Sequence, residues 1–278
     1  MSPVAVLAGA AEGTGLATAV RLAECGLDIA LVDPDPAPAD DTLRRITATG
    51  RRCTAVAADP ADTGAFTAAL ARIRSALGRP GVLLTLIGTG PDDDTPSMYE
   101  NDTRATYEDD VIAGVARYAL LRRALRTLFV TNRAAAAEMV RGGGGRIINV
   151  ARAPRTDRPA PEPGRTAAAG TAGGMRRTVV AGMAGFTASA ALELAPFGIT
   201  AHFVAPAALR PGTRPPVGTA PPEDTGTYSD HLADQAAFLI GAPAAALTGQ
   251  GAYLPGRPPA RPPSPTTTPT SRGTVATP

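Results

Sequence analysis

The stretch from Val4 to Gly15, Val-Ala-Val-Leu-Ala-Gly-Ala-Ala-Glu-Gly-Thr-Gly, constrains this chain more than any other. A short apolar run enters a glycine-rich turn, and an alanine- and leucine-rich helical pattern leaves it from Leu16 to Cys25. An apolar run bounded by glycine reads as a strand, and the spaced apolar residues after it as a helix. Strand, glycine turn and helix together present backbone N–H groups and a positive helix end to an anion, an arrangement suited to a dinucleotide pyrophosphate. Gly9, Gly13, Thr14 and Gly15 are the turn residues that would meet it.

The same alternation runs through the chain and predicts an α/β fold, a doubly wound parallel sheet of about seven strands with helices on both faces. The strands are read at Val4–Ala8, Leu27–Asp33, Thr54–Asp59, Val82–Gly88, Arg146–Ala151, Ile199–Ala205 and Gly251–Leu254. Helical patterns lie at Thr63–Leu77, within Asp109–Val140, and at Ala172–Ala195. The glycines from Gly142 to Gly145 suit a helix stop followed by a turn. Three stretches fall outside this scheme. Pro91–Asp110 carries eight acidic residues in twenty and reads as a solvated loop. Arg152–Thr171 is rich in Pro, Arg and Ala without periodicity, and Arg257–Pro278 is a Pro/Thr/Ser-rich tail with little to bury. One domain over 1–256 and a disordered tail over 257–278 are expected, with no internal repeat.

With 27 basic and 25 acidic side chains the formal charge is +2, which gives no reason to expect nucleic acid or an anionic membrane as partner. Cys25 and Cys53 have no metal-ligand spacing and read as buried free thiols in a reducing compartment. No apolar run is read as reaching the roughly 18 to 20 residues that span a bilayer. The N-terminus has no basic segment ahead of an apolar one, so a cytoplasmic location without a signal peptide is expected.

Taken together, the motifs resemble those of the short-chain dehydrogenase/reductase family, over about Val4 to Gly256. The family opens with Thr-Gly-x-x-x-Gly-x-Gly, which stands here as Ala8, Gly9, Gly13 and Gly15 with the leading Thr changed to Ala. Arg146-Ile-Ile-Asn-Val resembles its fifth strand, and Gly185-Phe-Thr-Ala-Ser-Ala-Ala-Leu-Glu-Leu-Ala-Pro-Phe-Gly-Ile-Thr its fifth helix and sixth strand. Ala237-Phe-Leu followed by Leu247-Thr-Gly-Gln resembles its C-terminal signature. The resemblance implies a Rossmann fold and a dimer or tetramer of this chain paired through the fourth and fifth helices. It places Asp59 against the adenine ring and Gly88 along the cofactor. Asp33, at the end of the second strand, suits a ribose diol and repels a 2′-phosphate. Glu12, before the middle glycine, adds to that preference, so NAD(H) is expected over NADP(H) if a dinucleotide is bound at all. The competing reading of Asp33 is the start of the turn Asp33-Pro-Asp-Pro.

Relatives of this family use a Ser, a Tyr and a Lys, assisted by an Asn. Counting from Asn149, the Ser position falls on Arg152; counting back from Phe186, the Tyr and Lys positions fall on Arg176 and Val180. The Asn position falls on Ala124, and no Tyr-x-x-x-Lys occurs in the chain. General acid–base assistance is worth about 10²–10⁴-fold, so ordinary carbonyl reduction is not expected. Arg152 and Arg176 would instead point into the cleft, with Arg155, Arg158, Arg165 and Arg177 near them, and hold an anionic or polyoxygenated substrate. Cyclisation, dehydration or isomerisation could follow from positioning and electrostatics alone. The competing reading puts these arginines on a solvated loop. Tyr99, Tyr107 and His202 are the remaining acid–base candidates, though His202 reads first as a packing residue; His231 reads as a surface or cap residue, and Tyr228 as a residue of the substrate-lid region. Two further classes stay open: an NAD(H)-dependent oxidoreductase with a displaced proton donor, and a non-catalytic partner subunit. The enrichment in Ala, Arg, Pro and Gly resembles high-GC bacterial chains, where altered members of the family serve small-molecule, secondary-metabolite biosynthesis.

Overall fold

Apolar runs of four to eight residues become seven parallel strands: β1 (Val4–Ala8), β2 (Asp28–Asp33), β3 (Cys53–Ala57), β4 (Pro80–Ile87), β5 (Gly145–Ala151), β6 (Ile199–Pro206) and β7 (Gly251–Leu254). The computed structural model describes residues 2–10, 13–88, 107–153, 166–210, 227–241 and 247–255. All five residues of β1 and all eight of β6 are buried. This is why these strands read as continuous apolar runs: helices cover the sheet on both faces.

The strand order is β3-β2-β1-β4-β5-β6-β7. Chain direction across the sheet therefore reverses between β1 and β4, and a crevice opens outside their C-terminal ends. Helices α1 (Gly13–Glu24) and α6 (Tyr228–Gly241) pack together on one face, over Leu7, Leu31 and Leu84. Helices α3 (Thr63–Ala76), α4 (Tyr107–Gly142) and α5 (Thr166–Leu194) cover the other, where Phe66, Ile73, Leu83 and Met139 form the core.

Several expectations are corrected. A helix, α2 (Asp40–Ala48), joins β2 to β3; it is short, polar, and buries only Thr42 and Ile46, too little periodicity to announce itself. Helix α4 begins at Tyr107, inside the stretch read as a loop, and the acidic residues 89–106 lie outside the described residues. Helix α5 begins at Thr166 rather than Ala172, because alanine propensity carries a helix where no amphipathic pattern exists. The tail, 257–278, lies outside the described residues. Cys25 is exposed just past α1 and Cys53 is half-buried, so neither is the core thiol expected. Finally, Arg176–Phe197 forms one 22-residue stretch long and apolar enough, by length and composition, to cross a membrane. Part of it packs on β5 and β6.

Two buried polar assemblies fix the frame of the site. Asp28, 1% exposed at the start of β2, accepts from Arg51 Nη2 at 2.6 Å and from Arg52 Nε and Nη2 at 2.9 and 2.6 Å. Burial pushes its carboxyl up, but the Arg52 and Arg51 hydrogen bonds outweigh this and hold it below the usual carboxylate range. Above the middle of the sheet, Asn132 of α4 and Asn149 of β5 exchange two hydrogen bonds of 2.9 and 3.1 Å, and Asn149 also donates to Thr187 of α5. All three side chains are buried, so the network sets α4 and α5 against β5 in one register.

Candidate functional site

A cleft of about 290 Å³ lies at the strand-order reversal. Gly9 leaves β1 with φ +72°, and a Cβ there would stand 2.6 Å from the Leu86 carbonyl oxygen of β4. That glycine is required by the chain's own packing. Gly13, with φ +36°, differs: a Cβ on it would meet no heavy atom within 4 Å, so α1 is open at its first residue. Gly15 packs on Ala10, and Thr14 is buried with its hydroxyl 2.9 Å from that of Ser229 on α6.

Asp33 ends β2 and lines the cleft with Pro34 and Asp35. Its carboxylate accepts from the Asp35 N–H at 3.3 Å, as the turn reading expects, and the residue also forms part of the wall. Asp59 lies beyond the end of β3 and also lines the cleft. Its carboxylate accepts from the Ala61 N–H at 2.9 Å and from both terminal nitrogens of Arg123 at 3.3 Å. Arg123, on α4, was not singled out by sequence; only the fold brings it opposite Asp59. The next residue, Ala124, lines the cleft beside Thr127. Gly88 and Ile87 form the floor.

Arg152 lines the same cleft just past β5, its N–H donating to the Ile87 carbonyl at 2.9 Å. Arg176 is half-buried on α5 and is not among the residues lining this cleft, so the two arginines expected to share it are not brought together there. Val180 is fully buried with Val179, Met183, Leu128 and Ala124. His202, 2% exposed, bonds Thr200 through Nε2 at 3.0 Å within β6. Burial, with Arg146 near, pushes its pKa down against a backbone bond to Leu247, so the ring is held neutral. It packs in the sheet, apart from the cleft lining. His231 donates from Nδ1 to the Pro255 carbonyl at 2.8 Å, tying α6 to the end of β7. Tyr107 is placed by its backbone as the first residue of α4. Glu12, Tyr99, Arg155, Arg158 and Arg165 lie outside the described residues.

The residues present fit a dinucleotide: the open face of Gly13 at a helix start suits a pyrophosphate, and Asp33 suits a ribose diol.

The sequence profile described as short chain dehydrogenase matches residues 3–153. The chain is similar to the short-chain dehydrogenase/reductase family member NovK of Streptomyces niveus, 38% identical over 90% of this chain and 93% of that one. It is also similar to the short-chain reductase protein NovJ of the same organism, 32% identical over 73% of this chain and 68% of NovJ. The (2S)-[(R)-hydroxy(phenyl)methyl]succinyl-CoA dehydrogenase subunit BbsD of Thauera aromatica is 27% identical over 73% of this chain and 71% of its own length. Among solved structures, a metagenomic short-chain oxidoreductase in complex with NADP superposes with a TM-score of 0.65 at 22% identity, covering 92% of this chain and 99% of that one.

Proposed function

The chain belongs to the short-chain dehydrogenase family, and from that premise we propose that it is a dinucleotide-binding subunit of a secondary-metabolite pathway that works beside a catalytically complete relative. One observation carries this reading. Val180, where the family resemblance assigns the lysine, is 0% exposed in an apolar cluster, and the chain contains no lysine at all. Nothing at that position can lower the pKa of a proton donor or hold a nicotinamide ribose. Bound NAD(H) would supply hydride chemistry; Gly13 and Asp33 would hold its pyrophosphate and ribose, with Asp33 favouring NAD(H) over NADP(H).

The outer faces of α4 and α5 support an assembly. Tyr118, Phe129 and Val140 are spaced by eleven residues, three helical turns, so they form one stripe on α4; they are 66%, 54% and 44% exposed. Leu192 on α5 is 80% exposed. Family members are commonly oligomeric, and such a face suits a partner helix pair, whether from a second copy or a relative. BbsD is itself named as a subunit of a dehydrogenase.

Purified alone, the protein is expected to bind NADH by calorimetry and to transfer no hydride to carbonyl substrates. Mixed with a relative named as a reductase, such as NovJ, it is expected to form a hetero-oligomer by light scattering and to raise the relative's turnover. Hydride transfer by this chain alone would overturn the reading and favour an oxidoreductase with a displaced proton donor.

A second reading rests on Arg152, which lines the cleft at the position to which the family resemblance points for the serine. It makes the site a receptor for a carboxylate or phenolate, with non-redox cyclisation, dehydration or isomerisation as its chemistry. Loss of benzoate binding in Arg152→Ala, measured with NADH present, is its expected signature.

A further inference from the structure

The β5–β6 ladder ends at Val150 paired with Val204, one residue before β5 itself ends. Ala151 is 0% exposed, so its carbonyl sits where neither the ladder nor water reaches it. The phenol of Tyr228, the first residue of α6 and itself 1% exposed, donates to that carbonyl at 2.8 Å. The N–H on the other side of the same peptide is that of Arg152, which donates to Ile87 at 2.9 Å. Both polar groups of the Ala151–Arg152 peptide are therefore held, one by β4 and one by α6. The neighbouring Ser229 hydroxyl, 7% exposed, bonds Thr14 at 2.9 Å in the first turn of α1. Two consecutive residues thus reach the end of β5, next to the cleft-lining Arg152, and the first turn of α1.

We infer that Tyr228 is a positioning residue for Arg152, with Ser229 setting the first turn of α1 from the same helix start, so that the first turn of α6 fixes the distance between the glycine turn and an anion-binding guanidinium. The anion part rests on the second reading above; the positioning part rests on geometry alone. A buried carbonyl left without a donor is costly, and Phe, which keeps the ring, would leave Ala151 in that state. The peptide would then turn to find another donor and carry the Arg152 side chain with it. Tyr228 acts only through the backbone: burial pushes its hydroxyl pKa far up, which keeps it a proton-bearing donor at every working pH.

The test uses the full chain and three variants, Tyr228→Phe, Ser229→Ala and Arg152→Ala. Hydrogen–deuterium exchange is followed over 148–153 and 13–18, and benzoate affinity is measured at saturating NADH. Tyr228→Phe should speed exchange in 148–153 selectively and weaken benzoate about tenfold. Ser229→Ala should speed exchange in 13–18. Unchanged exchange and affinity in Tyr228→Phe, with Arg152→Ala still losing benzoate, would overturn the positioning role while leaving the anion site standing. Faster exchange in Tyr228→Phe with benzoate unaffected by Arg152→Ala would sustain the positioning role and remove the anion site. A uniform rise of exchange across β1 to β7 in Tyr228→Phe would mark a merely structural tyrosine and also overturn the proposal.

Discussion

The two halves of the cleft are built differently. On the β1–β2 side, Gly9 and Asp33 line the cleft, and Gly13 opens α1 with no heavy atom within 4 Å of where a Cβ would stand. On the β5–α5 side, Arg152 lies in the cleft wall, Arg176 is half-buried and Val180 is in the core, the three positions to which the family resemblance points for the serine, tyrosine and lysine. The first half is kept by packing as well as by any ligand, since Gly9 abuts Leu86 and β1 is wholly buried. No packing constraint of that kind protects a proton relay. On the proposed reading no proton relay has to be kept there, and Val180 fills core space.

The largest expected effect strikes the altered half. Val180→Lys puts an ammonium among the apolar side chains of Val179, Met183 and Leu128, which should cost about 3–5 kcal/mol in chemical denaturation. A well-tolerated lysine, especially one that tightened NADH, would show that the old ribose contact is still reachable and would erase the contrast between the halves. On the kept side, Asp28→Asn leaves two arginines at the root of β2 without their carboxylate, and a loss of about 3 kcal/mol is expected. Because Asp28 titrates below the ordinary carboxylate range when folded, its contribution is complete above the unfolded pKa and declines as pH falls through the folded one. Acid melts of the wild type and Asp28→Asn should therefore converge at low pH; parallel curves would locate the stabilisation elsewhere.

Much of the scaffold is legible in sequence because parallel strands buried on both faces leave unbroken apolar runs, as Val4–Ala8 does; the less buried edge strand Gly251–Leu254 also stands at the residues read. The helices are less so. Helix α2 buries two residues, and the start of α5 is an alanine run that shows no face. In the site, Asp33, Asp59 and Arg152 could be placed by counting along strands, since β-strand ends are fixed by register. Arg123 and Tyr228 could not. Their partners, Asp59 and Ala151, lie 64 and 77 residues away, and no local pattern records such a contact.

Asp33 gives the next effect in size. Its replacement by Ala should weaken NADH about tenfold or more, the worth of hydrogen bonds to a charged group, and should narrow the gap between NADH and NADPH. Calorimetry with both nucleotides reads this directly; an unchanged preference would move the discrimination to Glu12.

The smallest effect is expected at Asp59, and it separates two uses of one carboxylate. The side chains of Asp59 and Arg123 are 38% and 49% exposed, so water screens the pair and Asp59→Asn should change stability by at most about 1 kcal/mol. Asp28 shows how much burial matters, since it makes the same kind of contact at 1% exposure. If Asp59 keeps Arg123 and the Ala61 N–H when a nucleotide binds, ADP-ribose affinity should fall less than threefold in Asp59→Asn, because the two oxygens are already engaged. A drop as large as that of Asp33→Ala would mean that the pair opens to take up adenine. The kept half of the cleft would then extend across the whole adenosine end, with Arg123 as a displaceable wall rather than a fixed one.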